Sequence, residues 1–331
     1  MKKINLIAEL CQNHFGDLNI VEEMIHAAKE NGADFVKIQS MRSKDLNYRK
    51  RFEKGIIEGG TERCKLRPFN QEYQRLKNLD LSIDDHFKFI ELCKKYKIKP
   101  MTTIFTRNRL NLVKKMNLDY IKISSFDCSS HTMIREILAK IKSKMIVSTG
   151  GAYDREILKT VKILKSFKRK FTLLHCISIY PTIPEVASLL RIKFLKQLNK
   201  SVGFSDHSNA DIYSYDLSAL SKTLGATWIE RHFTILKKNA TKDGVVSVNP
   251  SQLKQLRQAV DSPNSEILKY IRKKYKKVEL SKILGSSNRE LTNEEMLNRD
   301  YYQGRFTSKT KSGKIAYNWD ENIKYDKIMQ V

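Results

Sequence analysis

The stretch VGFSDHSNADIYSYDLSALSKTLGATWIERH, residues 202–232, decides the fold because it contains one complete strand–helix–strand repeat. Two short apolar runs, Val202–Ser205 and Trp228–His232, have the β-branched and aromatic content of buried strands. Between them, Asp211–Leu224 places apolar residues at helical spacing, and Gly225 predicts the end of that helix. Parallel strands joined by a helix are the repeating unit of α/β folds.

The same repeat occurs along most of the chain. Six further runs resemble buried strands: Ile4–Glu9, Phe35–Gln39, Lys99–Thr103, Tyr120–Ser124, Met145–Ser148 and Thr172–Cys176. Most strand starts are 21 to 31 residues apart, and one gap of 64 predicts a long insertion over residues 40–81. Eight such units predict an α/β fold, a (β/α)8 TIM barrel with a short C-terminal extension. An open doubly wound sheet is the rival interpretation, but ELCQNHFGD (residues 9–17) lacks its glycine-rich fingerprint.

Composition limits the class of protein. The 331 residues are 40% hydrophobic and 30% charged, and no apolar run reaches the ~20 residues that span a bilayer. Five scattered cysteines without paired spacing favour a reducing, cytoplasmic location. The formal net charge of +26 is spread evenly along the chain. We therefore predict a lysine-rich surface that attracts anionic substrates, with no nucleic-acid and no membrane partner.

Side chains at the carboxyl ends of barrel strands face the active site. His207 and His232 lie at the ends of the last two predicted strands, with carboxylates nearby, and this combination predicts a site for Mn, Fe, Co or Zn. Lys37 and Lys122 lie inside apolar runs, where a buried ammonium group requires an anion. With the neighbouring Ser and Thr hydroxyls, these lysines predict a cradle for phosphate and carboxylate groups.

Taken in order, the strand-end motifs resemble those of the sialic acid synthase family. The matching segments are AELCQNHFGDL (8–18), GADFVKIQ (32–39), MTTIFT (101–106), YIKISSFD (120–127), IVSTGG (146–151), LLHCISIYP (173–181), VGFSDHS (202–208) and IERHFT (229–234). The resemblance implies an N-acetylneuraminate synthase-like C–C bond-forming transferase. Such an enzyme condenses phosphoenolpyruvate with an N-acylated hexose, N-acetylmannosamine or a related diacetamido sugar, and uses a divalent metal, Mn2+.

Site roles follow from the resemblance position by position. It assigns the metal to His207 and His232, and adds Glu9 and Asp243 as catalytic residues. Glu9 would orient the sugar or a water, and Asp243 would contact the sugar or the water that attacks C2. The resemblance assigns substrate binding to Lys37, Gln39, Thr103, Lys122, Ser125, Tyr180 and Ser205.

The resemblance also implies an antifreeze-like domain that reaches across a swapped homodimer and donates an arginine to the sugar site. RFTSKTKSGKIAYNWDENI, residues 305–323, resembles only the start of that domain, and Arg305 is expected in its first strand. We therefore predict a barrel over 1–265, a linker over 266–304 and a truncated start of an antifreeze-like domain over 305–331. A catalytically impaired or non-catalytic sugar-binding barrel is the alternative. A Schiff-base aldolase using Lys122 is a further one, disfavoured by the paired histidines.

Overall fold

The computed structural model describes residues 3–321, 323, 327 and 328. Its strands are β1 (Asn5–Glu9), β2 (Phe35–Ser40), β3 (Ile56–Glu58), β4 (Thr61–Cys64), β5 (Lys99–Ile104), β6 (Tyr120–Ile123), β7 (Lys144–Ser148), β8 (Phe171–His175), β9 (Val202–Asp206), β10 (Trp228–His232), β11 (Thr307–Lys309) and β12 (Ile315–Tyr317). Its helices are α1 (Leu18–Glu30), α2 (Phe69–Lys77), α3 (Ile83–Lys95), α4 (Leu110–Met116), α5 (His131–Lys140), α6 (Asp154–Ser166), α7 (Arg191–Leu198), α8 (Ala210–Tyr213), α9 (Asp216–Thr223), α10 (Pro250–Asp261), α11 (Asn264–Lys274), α12 (Lys277–Leu284) and α13 (Asn293–Tyr302).

A closed barrel of parallel strands forms the centre of the described part of the chain, in the order β1-β10-β9-β8-β7-β6-β5-β2. All eight predicted strands are present within a residue or two, so the predicted (β/α)8 barrel is confirmed. An apolar layer fills its interior: Ile7, Phe35, Met101, Ile146, Leu174 and Trp228. Because side chains alternate along a strand, the residues two and four positions further on also face inward, above this layer.

The helices follow the predicted spacing with one exception. Ser82 and Asp85 form a capping box that begins α3. The single helix expected over Asp211–Leu224 is wrong, because the chain forms α8 and α9 with a break between them. Ser214 adopts a φ of 46°, in the left-handed region, and a residue in that conformation cannot continue a right-handed helix.

The insertion after β2 does not form a structureless loop. It contains the β3–β4 hairpin and helix α2, and it contacts the C-terminal end of the chain. Leu46 pairs with Phe306 in an isolated bridge, and the Asn47 amide donates to the Arg305 carbonyl at 2.8 Å. The insertion and the C-terminal end therefore meet beside the barrel mouth.

The C-terminal part is more helical than the sequence suggests, because α11, α12 and α13 occupy most of the expected linker. We call residues 293–320 the C-terminal cap, since this segment lies across the carboxyl end of its own barrel. Asn298 Nδ2 donates to the Ser178 carbonyl at 2.7 Å, and Gln303 Nε2 donates to Ser129 Oγ at 2.8 Å. The division into three domains stays a prediction, and residues 322, 324–326 and 329–331 of its last unit lie outside the described residues.

Within the described ranges, no helix combines the length and the apolar character needed to cross a membrane.

Candidate active site

A cavity opens at the carboxyl ends of the barrel strands, under the C-terminal cap. All eleven residues predicted for the site line it: Glu9, Lys37, Gln39, Thr103, Lys122, Ser125, Tyr180, Ser205, His207, His232 and Asp243. Strand alternation explains why they converge. On β10, Trp228 fills the apolar layer, and Glu230 and His232 follow on the same side at the next two inward positions. The roles assigned to these residues stay predictions.

Two lysines and two glutamates form a buried charge cluster at the base of the cavity. The ammonium group of Lys37 contacts Glu9, donates to Thr103 Oγ1 at 2.7 Å and lies 3.8 Å from Glu230 Oε2. Lys122 contacts the other oxygen of Glu230, Oε1, which also accepts from Ser205 Oγ at 2.8 Å. Each ammonium group therefore has an anionic partner, as a buried charge requires.

Burial and charge act in opposite directions on this cluster. Burial lowers the pKa of Lys37 to about 7, although the Glu230 carboxylate pulls it upward. Burial alone would raise the pKa of Glu230, but Lys122 and Lys37 outweigh it and hold that pKa well below its usual range. Glu230 therefore stays ionised and holds both lysines beside it.

The two predicted metal histidines lie next to each other in the cavity. The His207 and His232 rings have centroids 5.4 Å apart and an interplanar angle of 85°. His207 Nδ1 lies 2.8 Å from the Ile177 carbonyl, which leaves Nε2 on the cavity side. Burial lowers the pKa of His207 to about 3 and that of His232 to about 4. Both imidazoles are therefore neutral near pH 7, the form in which histidine binds metals.

The donor atoms around His232 fit a divalent cation. Its Nδ1 atom is buried without a hydrogen-bond partner. Ligand atoms of Cys11, His232 and Asp243 lie within 4.8 Å of one another. Cys11 Sγ donates to Asp243 Oδ2 at 2.8 Å and accepts from Gln39 Nε2 at 3.1 Å. Imidazole and carboxylate donors suit first-row divalent metals, so the residues present could hold the metal that the motifs imply.

Several residues that line the cavity were missing from the predicted set, and three of them carry charge or ligand atoms next to the predicted ones: Cys11, Glu230 and Arg305. Cys11 lies two residues after the end of the first strand, and Glu230 lies two residues before His232, so their strand-end positions could have identified both. Arg305 is different, because it was expected in a strand of a separate unit. It instead precedes β11, lines the cavity and pairs with Glu72 of α2. Only the folded arrangement of insertion and cap brings it there.

Two strand-end or loop histidines lie outside the cavity and have structural contacts. His175 Nε2 lies 2.7 Å from the Ala187 carbonyl, and His14 Nδ1 accepts from the Gly16 amide at 3.0 Å. Both rings are buried. They hold loops that surround the site and do not line it.

Comparison with known proteins places this geometry in a family. A family model described as the NeuB family matches residues 24–273. The chain belongs to the NeuB family. N,N'-diacetyllegionaminic acid synthase of Campylobacter jejuni subsp. jejuni is 32% identical over 260 residues, which cover 77% of this chain and 75% of that protein. Pseudaminic acid synthase of Campylobacter jejuni strain 81-176 is 30% identical over 327 residues, covering 98% of this chain and 87% of that protein.

A solved NeuB-type structure supports the same placement. The crystal structure of an N-acetylneuraminic acid (sialic acid) synthetase from Leptospira borgpetersenii, in complex with citrate, matches with a TM-score of 0.67 and 28% identity. The match covers 90% of this chain and 91% of that chain. The predicted membership of the sialic acid synthase family is confirmed, and so is the enzyme class, a C–C bond-forming transferase.

Proposed function

We propose that this NeuB-family protein condenses phosphoenolpyruvate with an N-acylated hexose to give a sialic-acid-type nonulosonic acid and phosphate. The acceptor belongs to the class of N-acetylmannosamine and the diacetamido hexoses. One observation carries the proposal: the lysine cradle and the neutral histidine pair line one cavity at the mouth of the barrel. The lysines suit the enol phosphate and the histidine pair suits the aldehyde, so the two reactants would meet in this cavity. A non-catalytic sugar-binding barrel would not need both groups.

The lysines and hydroxyls hold phosphoenolpyruvate. Lys37 and Lys122 bind its phosphate and carboxylate groups, and Thr103 fixes the direction of the Lys37 ammonium through the 2.7 Å contact. Ser125 and Ser205 supply further hydroxyls at the cavity wall. Binding in this pose places C3 of the enol towards the histidine pair, where the acceptor aldehyde lies.

The reaction forms a C–C bond and a C–O bond to water, and it breaks the C2–O bond to the phosphate. C3 attacks the aldehyde carbon, positive charge develops at C2, and water adds there. One proton of that water ends on the new alkoxide and the other on the phosphate, which leaves with the bridging oxygen as C2 becomes a ketone. The Glu9 and Glu230 carboxylates stabilise the developing positive charge, and Glu9 receives the proton of the attacking water. Asp243 orients the acceptor hydroxyls or that water at the outer side of His232.

We propose Mn2+ as the metal and assign it to His207 and His232, whose rings lie side by side. Asp243 has a ligand atom within 4.8 Å of one on His232. When bound, the ion supplies a Lewis acid for the aldehyde oxygen. The five cysteines are all unpaired, which supports a reducing, cytoplasmic compartment. The homodimer also stays a proposal. The cap that covers this barrel belongs to the same chain, so these contacts do not involve a second subunit.

Phosphate release tests the proposed function directly. The protein is incubated with phosphoenolpyruvate, Mn2+ and each candidate acceptor, and inorganic phosphate and product mass are measured. We expect acceptor-dependent phosphate release that EDTA abolishes and Mn2+ restores. His232→Ala should lower kcat/KM by a factor of about 100 or more, whereas His26→Ala, an exposed histidine on α1, serves as the matched control. Absence of phosphate release with every acceptor would overturn the proposal.

A further inference from the structure

The loop after β1 places a thiol beside the histidine pair. Cys11 lies two residues after Glu9, the last residue of β1, and Glu9 is in register with His232 of β10. The Cys11 backbone has a φ of 49°, in the left-handed region that non-glycine residues seldom adopt, and its amide donates to Glu9 Oε1 at 2.8 Å. Its side chain is buried and lines the same cavity as His232. Residues in such a conformation are concentrated at functional sites.

The sulfur of Cys11 lies between two polar side chains. It donates to Asp243 Oδ2 at 2.8 Å and accepts from Gln39 Nε2 at 3.1 Å. The loop after β10 holds Asp243 in this position, because the Asp243 carbonyl accepts from Ser247 Oγ at 2.7 Å. A free cysteine buried for packing alone behaves as a small apolar group. The neighbours of Cys11 suit a metal-bound thiolate instead, since an amide N–H stabilises its negative charge and a carboxylate can bind the same ion.

Three potential ligand atoms meet at this part of the cavity wall. One atom each of Cys11, His232 and Asp243 lies within 4.8 Å of the other two. A first-row divalent ion binds sulfur at about 2.3 Å and nitrogen or oxygen at about 2.0–2.2 Å, so atoms at this separation can share one ion. His232 adds an independent observation: it is 7% exposed, and no group among the described residues hydrogen-bonds to its Nδ1. A buried polar atom normally has a partner, and a bound cation can supply one.

We propose that Cys11 is a protein ligand of the divalent ion, and that its sulfur binds the ion together with His232 and Asp243. The inference rests on the proposed metal site and adds to it a ligand that the histidine pair does not indicate. The thiol proton passes to solvent as the sulfur binds, because a metal-bound thiol is deprotonated. Thiolate donors suit Zn2+, whereas Mn2+ prefers oxygen donors. Cys11 therefore raises the affinity of the site for Zn2+ more than its affinity for Mn2+.

A purely structural role for Cys11 is the alternative. In that case the thiol only connects Gln39 to Asp243 through hydrogen bonds, and the ion is bound without sulfur. A serine hydroxyl can donate and accept in the same way, so Cys11→Ser preserves this connection and removes the thiolate. The structural role predicts that this variant binds metal as the unaltered protein does, whereas a ligand role predicts a loss of sulfur-specific signals and of Zn2+ affinity.

Metal titration without substrates tests the inference. When the metal-free protein is titrated with Co2+, we expect a sulfur-to-cobalt charge-transfer band in the near ultraviolet, and we expect Cys11→Ser to lack it. Cys64→Ser is the matched control and should keep the band, because Cys64 is a buried thiol of the β3–β4 hairpin outside the ligand group. X-ray absorption of the Zn2+ complex should show a sulfur scatterer at about 2.3 Å. In chelator competition, Cys11→Ser should lose about 100-fold in Zn2+ affinity and less than about tenfold in Mn2+ affinity.

The outcomes separate this inference from the proposed condensation. Absence of the charge-transfer band and of the sulfur scatterer in the unaltered protein overturns the inference, whether or not phosphate is released. A band of equal strength in Cys11→Ser also overturns it. A band that depends on Cys11, without phosphate release from any acceptor, supports the ligand assignment and overturns the proposed function. Circular dichroism checks that each variant is folded, and Cys11→Ala takes the place of Cys11→Ser if the serine variant is not.

Discussion

The charge on Glu230 decides how the base of the site is arranged. One oxygen of its carboxylate contacts Lys122 and accepts from Ser205, and the other lies 3.8 Å from the Lys37 ammonium. That second oxygen has no hydrogen-bond partner. Because this oxygen makes no hydrogen bond, the Glu230 carboxylate can shift together with the two ammonium groups when an anionic substrate binds between them. Glu230 is thus a positioning residue for the phosphoenolpyruvate cradle.

Glu230→Gln is expected to lower kcat/KM for phosphoenolpyruvate by about 100-fold, roughly 2.7 kcal/mol. The amide keeps the shape and the bond to Ser205 but leaves two buried ammonium groups with Glu9 alone, and an uncompensated buried charge is costly. Steady-state kinetics with each substrate varied in turn check this. The KM of phosphoenolpyruvate should rise more than that of the acceptor. Glu266→Gln, exposed on α11, is the control, and a change of similar size in both KM values would contradict the assignment.

The barrel elements explain which part of the site could be predicted from the sequence. Residues at strand ends, such as Lys37 and His232, could be predicted because a parallel barrel brings the carboxyl ends of all its strands to one face. Arg305 and the other cap residues could not, since the sequence around them does not show where the cap packs on the barrel. Their place depends on contacts between residues far apart in the sequence, such as Leu46 with Phe306. Hydrophobic periodicity and turn signals within one segment do not predict which distant segment it will contact.

Many contacts hold the C-terminal cap on the barrel, and Asn318 makes two of the buried polar ones. Its Nδ2 donates to the Phe105 carbonyl at 2.9 Å and to Asp127 Oδ1 at 2.7 Å, and Asp127 is buried. Asn318→Asp replaces the donor by an oxygen that faces two acceptors, so we expect the cap to detach. Because Tyr302 and Arg305 line the cavity, the acceptor KM should rise about tenfold or more.

Limited proteolysis with mass spectrometry checks the detachment, since a released cap is cleaved earlier than the barrel. Asn293→Asp is the matched control, because it makes the same chemical change on the same segment at an exposed position of α13. If both variants were cleaved at the rate of the unaltered protein, Asn318 would not hold the cap.

At the scale of the whole molecule, buried neutral histidines make stability depend on pH. Burial lowers the pKa of His14 and His86 to about 4 and that of His175 to about 3. The unfolded chain binds a proton at each of these rings near pH 6.5, whereas the folded chain does so only at much lower pH. Stability is therefore complete above about pH 6.5 and is lost as the pH falls towards the folded values.

The size of this loss of stability can be measured on His86, whose Nδ1 lies 2.7 Å from the Ser82 carbonyl at the start of α3. A shift from about 6.5 to about 4 corresponds to about 2 kcal/mol of unfolding free energy lost between pH 7.5 and pH 5. His86→Gln keeps a donor for that carbonyl without titrating, so the difference in unfolding free energy between pH 7.5 and pH 5 should shrink by about this amount.

Urea unfolding at both pH values measures this difference, with EDTA present because metal binding would otherwise add its own stabilisation. His26→Gln, exposed on α1, is the control. If both variants kept the full pH dependence, protonation of His86 would not contribute to acid unfolding, and the loss would have to come from the other buried rings.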